Sequence, residues 1–197
     1  GEGGSPPQQC TQPYLSKNVG IDGITVRNAP MYELHPVLCR NVTIHKVRVI
    51  SHGPKTDGCD PECCSDLLIK DCLFDTGDDC IAVKSGRNRD GQRVGMPSEN
   101  IVIEGCTMKD GHGGVTIGSE ISGNARNIFA QNCNMDSPNL DRAFRFKNNA
   151  MRGGVIENCH MRNVVVGHVA QGAIDADFTY EEGEKGPRKP ILRNISV

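Results

Sequence analysis

Asn100-Ile101-Val102-Ile103-Glu104-Gly105-Cys106-Thr107-Met108 is one copy of a pattern that returns along the chain. Other copies start at Asn18, Asn41, Asp66, Asn127 and Gly153, and Leu192 to Val197 closes the series. The anchors Ile24, Val47, Cys72, Cys106, Cys133, Cys159 and Ile195 are spaced by 23, 25, 34, 27, 26 and 36 residues. A period of about 25 residues, built from short strands and variable loops, means a solenoid.

A second strand follows in several repeats: Cys80 to Ser85, Gly114 to Ser119, Ala143 to Asn148 and Ala173 to Phe178. Each alternates apolar and polar residues, so one set faces a core and the other faces out. Ile81/Val83, Val115/Ile117, Phe144/Phe146 and Ile174/Ala176 form the inward column. Ala82/Lys84, Thr116/Gly118, Arg145/Lys147 and Asp175/Asp177 form the outward, surface column. The expected fold is all-β: a right-handed parallel β-helix of about seven coils. The rival, a leucine-rich repeat, lacks its L-x-x-L-x-L spacing. Residues 1–17 read as an irregular N-terminal segment and 18–197 as the β-helix.

Composition agrees. The 197 residues suffice for one domain with a sizeable core. Glycine is abundant at 23, aromatics are 4%, and tryptophan is absent, which suits strands and turns rather than a helical bundle. The net charge of −2 implies no nucleic-acid partner. No apolar run of about 20 residues implies a membrane span. The first residues, Gly1 to Gln9, have neither the basic nor the apolar region of a signal peptide. Of ten cysteines, Cys72, Cys106, Cys133 and Cys159 share one repeat position and are expected to stack, reduced, as an interior ladder. Cys59, Cys63 and Cys64 fall on an expected loop, open to a disulfide or, less readily, zinc; no second CxxC pair completes a ligand set. The sequons at Asn41 and Asn194 fall on expected strands and are discounted.

Aligning the segments before the second strands brings reactive side chains together. Cys59 against Ile81 sets Asp57 beside Asp79, and His112, between two glycines, falls beside Asp78. Arg145 and Lys147 project from the following coil. Alone, each is an ordinary residue: a turn Asp, a loop His, or a surface ion-pair ladder of Arg145 and Lys147 with Asp175 and Asp177. Together they are three carboxylates, an imidazole and two cations on one wall. Hydrolysis of an acidic sugar polymer needs this set. One acid protonates the leaving oxygen, and a second carboxylate activates water or attacks carbon; carboxyl groups on neighbouring coils can reach the roughly 6.5–9.5 Å separation of an inverting enzyme. Crowding drives the acids' pKa values apart, and the cations hold a substrate carboxylate.

Thr56-Asp57-Gly58, Gly77-Asp78-Asp79, Gly111-His112-Gly113 and Arg145-Phe146-Lys147, in this order, resemble the polygalacturonases and related pectin hydrolases of glycoside hydrolase family 28. The resemblance runs from about Pro30 to the C-terminus. It implies a right-handed parallel β-helix, here incomplete relative to the family. It also implies hydrolysis of α-1,4-galacturonan with inversion and no metal or other cofactor. Asp78 would be the general acid, Asp57 and Asp79 would hold and activate the water, and His112 would support the acid. Arg145 and Lys147 would bind a galacturonate carboxylate. The partner implied is an acidic polysaccharide, and the compartment is extracellular or periplasmic, because the family is usually exported. Gly111 to Glu120 leans towards exo-acting members. The family usually has Asn where Lys55 stands, two residues from Asp57, and Ile where Phe146 stands. The alternatives are a Ca²⁺-dependent pectate lyase on the same fold and a non-catalytic carbohydrate-binding β-helix.

Overall fold

The computed structural model describes residues 9–197. Of the segment Gly1 to Gln9, only Gln9 lies among the described residues.

Three parallel sheets form the walls of a right-handed β-helix, and a two-stranded parallel pair, Asp110–Gly111 and Asn139–Leu140, lies beside them. The longest has seven strands stacked in chain order: Lys17–Asp22, Arg40–His45, Ser65–Lys70, Ser98–Glu104, Ala125–Gln131, Val155–Arg162 and Ile191–Ser196. A second stacks Thr25–Arg27, Arg48–Ser51, Leu73–Thr76 and Thr107–Met108. The third stacks Ile81–Val83, Val115–Ile117, Arg142–Lys147 and Gly172–Asp177. Isolated parallel bridges extend its wall downwards, from Ile81 to Cys59, Leu34 and Thr11. The stack therefore reaches into the 1–17 segment read as irregular. One short helix, Asn88–Val94, interrupts the strands.

The core lies inside the coil and is built in rows. Val42, Leu67, Ile101, Ile128 and Cys159 form one buried row of the long sheet, and Ile44, Ile69, Ile103, Ala130 and Met161 form the next. At the entry to the long sheet, Asn18, Asn41, Asp66, Asn100, Asn127, Asn158 and Asn194 all adopt the left-handed conformation. Asn and Asp tolerate it because short polar side chains bond locally. Here those side chains also bond to each other from coil to coil: Asn127 Nδ2 donates to Asn100 Oδ1 at 3.0 Å, and Asn158 Nδ2 to Asn127 Oδ1 at 3.0 Å. Both sequon asparagines, Asn41 and Asn194, spend their amides on this ladder.

The ladder corrects the repeat register. Asn158 stacks on Asn127 and Cys159 on Ile128, so Cys159 belongs to the long-sheet row. The residue stacked on Cys133 is Val164, since Asn134 bridges Val165. The cysteine ladder therefore has three members, Cys72, Cys106 and Cys133, whose thiols face carbonyls of the coil below. Ile195 likewise stacks on Cys159 and not on the Cys133 row. All ten cysteines are free. Cys59, Cys63 and Cys64 are buried where a loop was expected, because the third wall continues through them by the Cys59–Ile81 and Glu62–Lys84 bridges.

Candidate active site

The third sheet supplies the site. Ile81, Val115, Phe144 and Ile174 stand in register, as do Val83, Ile117, Phe146 and Ala176. The expected inward column is thus in place. It is buried except on the last coil, where Ile174 is exposed for want of a coil above it. The same register carries the residues just before the strands. Gly58 N donates to Asp79 O, and Cys80 N to Gly113 O. Asp57 therefore sits one coil below Asp79, and His112 one coil above Asp78.

The structure brings the six expected residues together. The closest oxygens of Asp57, Asp78 and Asp79 lie within 4.8 Å of one another. These are nearest-atom distances, shorter than the spacing between whole carboxyl groups expected from the sequence. Asp78 Oδ1 accepts from the backbone N–H of Asp79 at 2.9 Å and lies 3.2 Å from His112 Nδ1. Burial opposes the charge on Asp78, but the His112 contact, Lys147 and that backbone N–H outweigh it and lower its pKa. Reciprocally, the hydrogen bond to Asp78 raises the pKa of His112. Asp79 is almost fully buried, with Oδ1 accepting from Thr116 at 2.9 Å and Oδ2 from Lys147 at 2.6 Å. Arg145 Nη1 stands 3.8 Å from Asp79. Gly113 is obligatory, since a Cβ there would collide with Thr116 Oγ1 and come within 2.9 Å of Asp79 Oδ1.

Asp57 behaves differently from Asp78. Burial, together with the negative charge of Asp79 and Asp78, pushes its pKa up to about 6 despite Lys84. Asp60, wholly buried and close to Asp57, is also raised, chiefly by burial. In the free protein the Asp57–Asp60 pair thus keeps a proton to higher pH, while Asp78 is the readily ionised acid.

The outward column is not a solvent surface. Ala82 and Thr116 are inaccessible, and Lys84 and Lys147 are each 5% exposed. Tyr32 on one side and Tyr180 on the other cover it: Lys84 Nζ is 5.0 Å from the Tyr32 ring centroid, and Lys147 Nζ 5.0 Å from that of Tyr180. The surface ion-pair ladder forms only in part. Arg145 and Arg142 reach Asp175 at 3.5 and 3.0 Å, but Lys147 turns to Asp79 and Asp177 bonds Thr179.

Sequence reasoning missed Lys84, Asp60, Glu120, Thr116, Tyr32 and Tyr180. Lys84 and Thr116 could have been found, for they stand in the same outward slots as Lys147 and Arg145. The tyrosines and Glu120 come from loops that no repeat places. A cavity of about 220 Å³ opens over the acids, between Tyr32, Lys55, Lys147 and Tyr180. A larger cleft of about 620 Å³ under the Asn88–Val94 helix contains none of the site's acids. For a cation, Asp57, Asp78 and Asp79 are one candidate ligand group, although Lys84 and Lys147 already supply positive charge there. His52, Asp75 and Asp110, on an outer edge, are the other group among the described residues.

A parallel β-helix with clustered carboxylates, an imidazole and cations on one wall has the build of a polysaccharide-cleaving solenoid. The profile of glycosyl hydrolases family 28 matches residues 4–195, and the chain belongs to that family. A "Probable polygalacturonase" of Vitis vinifera is 33% identical over 79% of this chain and 33% of its own length. An exo-poly-alpha-D-galacturonosidase of Dickeya chrysanthemi is 26% identical over 84% of this chain and 27% of its own length. Among solved structures, a hyperthermoactive exopolygalacturonase from Thermotoga maritima superposes with a TM-score of 0.90 and 39% identity, over 96% of this chain and 42% of that one. The chain thus spans about a third of the length of these curated relatives.

Proposed function

We propose that this chain carries the catalytic wall of a hydrolase that cleaves α-1,4-galacturonosyl linkages of pectin, with inversion and from the chain end. The observation that carries this reading is the juxtaposition of Asp57, Asp78 and Asp79 under His112, Arg145 and Lys147. The exo-acting relatives support the mode, and the family favours hydrolysis over the lyase and binding alternatives. The partner is an acidic polysaccharide met outside the cell or in the periplasm. No helix among the described residues is long and apolar enough to cross a membrane.

Asp78 is the general acid. It is ionised in the free site, so it must gain a proton on substrate binding. The arriving galacturonate adds negative charge and excludes water, both of which favour the neutral acid. His112, 3.2 Å away, is the source: imidazolium gives its proton to Asp78, which passes it to the leaving oxygen. Water attacks the anomeric carbon from the opposite face and loses a proton to Asp57, whose value of about 6 suits a base near mildly acidic pH. Asp79, with both oxygens engaged, orients that water. Arg145 and Lys147 hold the sugar carboxylate against the Tyr180 ring.

Incubation with polygalacturonate, with and without EDTA, followed by chromatography and anomer-resolved NMR, tests this. Galacturonate monomer of inverted configuration is expected. An oligomer ladder would overturn the exo mode. Unsaturated, ultraviolet-absorbing product lost in EDTA would overturn hydrolysis, and pectin binding without new reducing ends would leave only the binding reading.

A further inference from the structure

Lys84 is a buried cation for which the hydrolytic scheme has no task. It sits in the outward slot of its strand, one coil below Gly118 and two below Lys147. Gly118, at φ +117°, has no room for a Cβ, which would collide with the Lys147 carbonyl. No side chain therefore separates the two lysines, and they divide the acids between them. Lys147 takes Asp79, while Lys84 Nζ lies 3.6 Å from Asp57 Oδ2, 3.2 Å from Asp60 Oδ1 and 3.4 Å from Glu120 Oε2. Neither oxygen of Asp60 has a hydrogen-bond partner among the described residues, so Lys84 is its compensation.

We propose that Lys84 is a positioning residue for Asp57: its one ammonium, set between Asp57, Asp60 and Glu120, keeps Asp57 free to accept a proton from water. The inference rests on the role given to Asp57 above. The charges facing Lys84 are Asp57 and Asp60 from the coil below, Glu120 from the turn after Val115–Ile117, and the Tyr32 ring. Arg87 meets Glu120 from the far side at 3.9 Å. Without the lysine, buried Asp57 and Asp60 and half-buried Glu120 face one another, and Asp57 and Asp60 retain protons to higher pH. Glu120 competes with Asp57 for the same ammonium, so its removal acts in the opposite direction.

Two readouts test this: the acid limb of kcat/KM on polygalacturonate, and the ¹³C titration of the Asp57 carboxyl, assigned by its loss in Asp57→Asn. In Lys84→Met both midpoints are expected to rise by roughly one pH unit or more. Lys84→Arg should restore them, and Glu120→Gln should lower them. Should Lys84→Met fail to fold, Glu120→Gln still decides the sign. Unmoved midpoints, with only melting temperature or overall rate changed, would reduce Lys84 to a structural counter-ion and overturn the proposal. The NMR arm needs no turnover. A shifted carboxyl in a protein inactive on galacturonan would contradict the proposed reaction and uphold the coupling.

Discussion

Asp57 is a buried acid that ionises late, and this ties stability to pH. Its value of about 6 in the fold stands above the ordinary 3.8. Below 3.8 it is protonated folded or unfolded, and no difference arises. As pH rises through 6 the fold must carry a buried charge that the open chain bears freely. Asp57→Asn is therefore expected to stabilise the protein at pH 8 by up to about 3 kcal/mol and to be neutral below pH 3.8, as read by urea unfolding. Equal stability at both ends would contradict the burial argument. His112 runs the other way. Asp78 raises its pKa, so imidazolium persists beyond the ordinary histidine range, and the rate is expected to fall only at the higher pH where it deprotonates. His112→Gln should lower kcat by about 10²-fold and lose that limb; an unchanged limb would assign it elsewhere. Lys147→Met strands a buried Asp79, at an expected cost of about 3–5 kcal/mol at pH 7 in urea unfolding. At this scale the four motifs were legible because catalysis needs particular side chains. The burial of Lys84 and Lys147 was not, because period-2 alternation states a direction and says nothing of what a loop tyrosine later covers.

A left-handed residue within each long-sheet strand and another just after every such strand but the last define the elements, and they explain both the success and the failure of the repeat reading. Asn132 and Asn158 are both left-handed, and each precedes a cysteine. Asn132 belongs to the turn leaving the long sheet and Asn158 to the ladder within it, so the same dipeptide marks two different places. Reading Cys159 as the partner of Cys133 followed the dipeptide. The structure follows the amide ladder, which places Val164 there. The third sheet was read correctly because its register is fixed by apolar pairs, where a one-residue slip would turn every core residue outwards. Asn127 shows what the ladder contributes. It donates to Asn100 and accepts from Asn158 in a conformation most side chains resist. Asn127→Ala is expected to cost about 2–3 kcal/mol, and Asn127→Gly less, since glycine keeps the backbone conformation and loses only the amide bonds. Equal losses in thermal or urea melts would mean that the left-handed turn carries no strain.

Over the whole molecule, stacking converts sequence distance into contact. Lys147 reaches Asp79 across 68 residues, and His112 reaches Asp78 across 34. No single coil holds the site, and each contributes one or two groups at a fixed height. That is why a repeat period and four short motifs sufficed to place Asp57, Asp78, Asp79, His112, Arg145 and Lys147 together. It is also why the cover formed by Tyr32, Glu120 and Tyr180, which obeys no period, stayed hidden. The direct measurement is the initial rate of reducing-end release from polygalacturonate by Asp57→Asn, Asp78→Asn and Asp79→Asn beside the parent protein, with the folded fraction of each fixed by its melt. The convergent site requires every one of them to be slower by about 10²–10⁴-fold while folded. A folded variant that keeps the parent rate would show that its carboxylate takes no part, and the three-acid site would fall.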